Sequence, residues 1–182
     1  MFSVVPPDAE LARLLMNELA QGFDGRMTRL RELATVEAES PTPNGKLLFG
    51  GVATVLAYEE ARSSFVHGNF AATILLTQML LEHLLSGYAS MAGEQLGRKP
   101  EFKDTLSRCE KRGLLSTGEV ADIRKLIALR NPLLHYRDTD DADHLMRRSI
   151  REGQVASDFC EDDARFAITL ITRFLGKRPF AV

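Results

Sequence analysis

The chain has 182 residues, 45% of them hydrophobic, and a formal net charge of −2. That length suits one domain with a core of its own, and the slightly acidic total excludes a chain that binds polyanions over its whole surface. Cys109 and Cys160 form no metal-ligand spacing and fit a reducing compartment. No signal peptide is legible in Met1–Pro7. The most apolar stretch, Phe70 to Leu81, carries Thr73, Thr77 and Gln78 and is too short to span a bilayer, so the expectation is a cytoplasmic protein with no membrane contact.

In chain order, Pro6-Pro7-Asp8 starts a helix whose Leu11, Leu14, Leu15 and Leu19 make one stripe; Gly22 and Gly25 interrupt it. A charged helix follows over about 27–37, then a loop, Ser40-Pro41-Thr42-Pro43-Asn44-Gly45. Residues 1–45 therefore read as an N-terminal helical extension and 46–182 as the main bundle. A helix over about 52–66 turns at His67-Gly68-Asn69 into an almost wholly apolar one, about 70–88, which marks the core. A shorter helix, 102–111, ends at Gly113. Ser116-Thr117-Gly118-Glu119 fits a capping box opening the next helix, and that helix should pack on 70–88. Asp138 to Asp143 is an acidic loop, followed by a short helix at 145–151. Asp158-Phe159-Cys160-Glu161 offers a cap for the last helix, which Gly176 and Pro179 end. The fold class expected is all-α.

The charge is unevenly spread. Residues 98–137 hold 10 Lys/Arg against 5 Asp/Glu, a net of +5, and residues 138–163 hold 3 against 9, a net of −6. Either these are solvated helix faces or the first is a local patch that attracts phosphate. Arg130-Asn131-Pro132-Leu133-Leu134-His135 lies at the end of the basic segment. With Val120 at 0°, Arg130 falls near about 280°, inside the apolar arc of its helix, where an arginine marks a site or a buried ion pair. The Arg-x4-His spacing alone is weak, since Arg62 and His67 share it. Requiring Asn after the Arg lowers the chance expectation to about 0.01 matches.

Leu129-Arg130-Asn131-Pro132-Leu133-Leu134-His135 resembles the Arg-x4-His motif of the HEPN superfamily in its Arg-Asn-x-x-x-His form. The segments Glu59–Phe65, Gly68–Ala72 and Leu80–Leu85 resemble the first helical hairpin of such domains, and the resemblance covers about residues 52–175. It implies an up-and-down helical bundle that dimerises. It also implies either a metal-independent endoribonuclease, of the kind found among toxins and defence effectors, or a non-catalytic dimer that binds nucleotide, RNA or a protein partner. A cognate antitoxin or nucleotidyltransferase is a partner of one toxin branch. That branch carries a tyrosine two positions after the His, where this chain has Arg137 and places Tyr136 one residue earlier.

The chemistry needs a base for the 2′-hydroxyl, a cation for the phosphorane and an acid for the leaving 5′-oxygen. Histidine serves either proton-transfer role near neutral pH, and arginine offers a permanently charged fork. Arg130 and His135 are thus the catalytic candidates, and two-fold symmetry would add a second His135. Asn131 before Pro132 fits an N-cap and first residue of a restarted helix, a phosphate ligand, or both. A kink there, or a second chain, is needed because residues five apart on a straight helix point about 140° apart. Glu82 either orients Arg130 or His135 or reaches solvent. Arg137 either touches a phosphate or is solvated. His67, His83 and His144 read as structural or surface residues, and no metal or cofactor pattern is present.

Overall fold

The computed structural model describes residues 7–40 and 51–176, and every regular element among them is helical: α1 (Asp8–Gln21), α2 (Phe23–Glu39), α3 (Val52–His67), α4 (Phe70–Met91), α5 (Phe102–Lys111), α6 (Thr117–Leu134), α7 (Leu145–Glu152) and α8 (Ala156–Gly176). The chain is an all-α bundle. The Pro-Thr-Pro-Asn-Gly part of the expected loop, residues 41–45, and Pro179 lie outside the described residues.

α4 is the hub, packed by α3, α5, α6 and α8. Its Ile74, Leu80, Leu81, Leu84, Leu85 and Tyr88 are buried with Phe65, Ile123, Leu126, Ile171 and Phe174. By length and composition α4 is apolar enough to cross a membrane; four packed neighbours give its apolar character a place in the core. The turn into it is a Schellman cap. Gly68 takes φ 81°, its N–H donates to the carbonyl of Phe65, and the Asn69 N–H donates to that of Ser64. A residue with a Cβ would be strained there and would crowd the Arg29 guanidinium.

Named contacts set the helix directions. Arg29 faces Glu161 and Arg165 bonds Glu32, so α2 and α8 run the same way. The Tyr88 hydroxyl donates to the Phe174 carbonyl near the C-terminal ends of α4 and α8. α3 opposes α2, since Arg62 and Tyr58 meet Glu37 while Arg29 bonds the carbonyl of Val66. α6 opens on the expected capping box. The Glu119 N–H donates to Ser116 Oγ at 3.2 Å and the Ser116 N–H to Glu119 Oε2 at 2.7 Å.

Several boundaries differ from the sequence reading. Only Gly22 breaks the first helical run; Gly25 lies inside α2, which starts at Phe23. The Leu11, Leu15 and Leu19 stripe forms on α1 but stays exposed, because α1 packs mainly on α2 among the described residues and buries no residue. α8 begins at Ala156, so Asp158 sits in its first turn rather than at its cap. α6 does not restart at Pro132; it continues to Leu134. Leu133 packs against the core and keeps the helix going, while the carbonyl that loses its donor belongs to Ala128, an exposed residue open to water.

Candidate functional site

α6 extends its buried stripe of Val120, Ile123 and Leu126 to Arg130, which is half-buried in the last turns of the helix. Its one side-chain hydrogen bond runs from Nη1 to Asn131 Oδ1 at 3.2 Å. No carboxylate pairs with it among the described residues. The other Arg-x4-His match behaves differently. Arg62 Nη2 bonds Glu37 Oε2 at 3.0 Å, its guanidinium lies over the Tyr58 ring, and His67 Nδ1 meets the carbonyl of Ser63. Arg62 and His67 are thus taken up by the fold, and Arg130 is not.

His135 ends α6. It leaves the helix with φ −109° and ψ 134°, its N–H bonding the Asn131 carbonyl, and its exposed imidazole makes no hydrogen bond among the described residues. The backbone turns extended only at His135 itself, so no kink or restart lies between Arg130 and His135. Asn131 is consequently no N-cap: its carbonyl serves the end of α6 and its side chain accepts from Arg130.

His135 opens onto a cleft of about 340 Å³ shared with Pro132, Tyr136, Arg137, His144 and Leu145. Arg130 is not among its walls, so one chain does not bring the two catalytic candidates into one cleft. Tyr136 is 92% exposed. Arg137 is partly exposed and ion-paired: Nη1 donates to Asp141 Oδ2 at 2.9 Å and Asp143 lies at 3.9 Å. This pairing raises the Arg137 pKa, and hydrogen bonds from the Asp143 amide and then from Arg137 hold the Asp141 carboxyl below its usual range.

Glu82 bonds neither Arg130 nor His135 among the described residues. It sits half-buried at the edge of the α4 face that carries the exposed Met79 and His83, and its side chain makes no hydrogen bond or ion pair among the described residues. Leu81, Leu84 and Leu85 occupy the inward arc instead.

His144 is the residue that sequence reasoning passed over. It is half-buried, its Nδ1 accepts the Met146 N–H at 3.1 Å, and it caps α7. The readable signal was its place just before a short amphipathic helix. The nine-residue return that carries it back beside His135 had no local signature.

Cysteine chemistry has no foothold here. Cys109 is buried with Sγ on the Leu85 carbonyl, and burial, helped by Glu94, pushes its thiol up to about 11; burial also raises Cys160. No group of three or more His, Cys, Asp or Glu among the described residues could hold a metal ion. No protein-family model matches the chain, and no curated protein or solved structure matches it either.

Proposed function

We propose that the protein is a metal-independent endoribonuclease of HEPN type, a helical bundle acting as a homodimer in the cytoplasm. The resemblance of the Arg130–His135 string motivates the reading, and one observation carries it: Arg130 continues a buried stripe yet has no carboxylate partner among the described residues, unlike Arg62. A half-buried guanidinium without a carboxylate keeps its charge for solvent or for an anionic ligand. Left with only Asn131, it has donors free for phosphate oxygens.

The proposed reaction is a transesterification. The 2′-oxygen attacks phosphorus as one His135 takes its proton, the phosphorus–O5′ bond breaks, and a second His135 protonates the departing oxygen. Arg130 stabilises the phosphorane charge. The second histidine and the nearness of Arg130 to it come from a two-fold partner, which is why the single chain leaves them apart. RNA is the substrate class, and a toxin or defence role fits, with an antitoxin or nucleotidyltransferase as regulator.

A second reading is favoured by the same separation of Arg130 from the His135 cleft: a non-catalytic dimer that binds nucleotide, RNA or a protein. The test is cleavage of a labelled RNA in excess chelator. Arg130→Ala and His135→Ala should each lower the rate by roughly 10²–10⁴-fold with helicity unchanged, and the products should end in 2′,3′-cyclic phosphate. His67→Ala should cut like the wild type. If the wild-type protein cuts nothing and Arg130→Ala unfolds it, the second reading stands.

A further inference from the structure

His135 and His144 open onto one cleft, nine residues apart in sequence, and only the first belongs to the motif. The geometry of His144 fixes its chemistry. Its Nδ1 accepts a backbone N–H, so in the neutral ring the single proton sits on Nε2. Such a ring cannot take a proton at Nε2 and does not give one up readily. With Nδ1 engaged by the Met146 amide, the Nε2–H of that tautomer is a hydrogen-bond donor held in place at the start of α7.

Arg137 brings a guanidinium to the cleft beside the two imidazoles, while Asp140 of the acidic loop stays exposed. Asp141 and Asp143 are engaged by Arg137 and Asp138 by the amide and hydroxyl of Thr139. Arg137, on the same cleft, has a buried Nε–H with no acceptor. Unsatisfied donors of this kind mark a place where an acceptor belongs.

We infer that the His135–His144 cleft is a phosphate-binding site in which the Nε2–H of His144 holds a non-bridging oxygen of the RNA phosphate next to His135. The inference deepens the endoribonuclease reading and rests on it for the identity of the ligand. His144 binds and transfers no proton; the proton steps remain with His135.

The probes are inorganic phosphate and cytidine 3′-monophosphate, titrated into the labelled full chain while the ring resonances of both histidines are followed. The two rings should move together on one saturation curve. His144→Asn keeps a side-chain oxygen to cap α7 while removing the Nε2 donor. It should fold as the wild type, weaken both probes by roughly tenfold and lower cleavage at least as much. If phosphate moves His135 and leaves His144 still, or His144→Asn binds and cuts like the wild type, His144 is a helix cap only. If the wild type cuts no RNA but phosphate moves both rings, the site stands and the cleavage reading alone falls. If phosphate moves neither ring, the site falls whatever cleavage shows.

Discussion

At the scale of single residues, what separates a functional arginine from a structural one here is the company it keeps. Arg148 is the structural extreme. Its guanidinium forms a two-pronged pair with the buried Asp163, bonds Glu152 and lies 4.3 Å from the centre of the Phe159 ring. The Asp163 bond, set against the cost of burial, raises its pKa beyond the ordinary arginine value. This pair ties α7 to α8 and so holds His144 in place. Asp163→Asn should leave the arginine head poorly matched and destabilise the fold by about 2–3 kcal/mol, below the range for a fully buried pair because Arg148 is partly solvated. The urea midpoint should drop at unchanged slope, and phosphate binding in the His135–His144 cleft should weaken with it. An unchanged midpoint would make the pair an ornament of the surface.

At the scale of elements, legibility followed the strength of the local signal. Ser116 with Glu119, and Gly68 with its required positive φ, announce a start and a stop that hardly any other backbone would accept, and both appear where the sequence puts them. Asn131-Pro132 was misread because the pair fits two places equally by local rules. It suits the start of a helix, and it is tolerated near the end of one when the orphaned carbonyl faces water. Packing of the partly buried Leu133 against the core, a tertiary effect, decided between them. Arg130 and His135 were legible as a string, yet their placement in different surroundings depends on where α6 ends. Pro132 should therefore matter to stability. Pro132→Ala restores the donor for the Ala128 carbonyl and should raise stability by about 1–3 kcal/mol. Because α6 already runs past Pro132 to Leu134, His135 should keep its place and cleavage should be unchanged. An unchanged urea midpoint would show that water serves the Ala128 carbonyl as well as an amide does.

At the scale of the whole molecule, one chain offers a single His135, and its cleft lacks Arg130. The reaction proposed requires a second proton-transfer group and a cation, so it requires two chains. Each homodimer then has one shared site with two His135 side chains, and losing either should silence it. This gives a quantitative expectation for mixtures. When wild-type and His135→Ala chains are co-folded in equal amounts and exchange freely, about one quarter of the dimers contain two intact chains. Cleavage per total protein should fall to about one quarter of the wild-type value, with light scattering showing the dimer throughout. Independent sites, each complete in its own chain, would instead leave about one half. A linear loss of activity with the mutant fraction, or a strict monomer at micromolar concentration, would remove the shared site. His135 would then need its proton-transfer partner inside its own chain, and His144, whose Nδ1 accepts the Met146 amide, could take a proton there only by giving up the α7 cap.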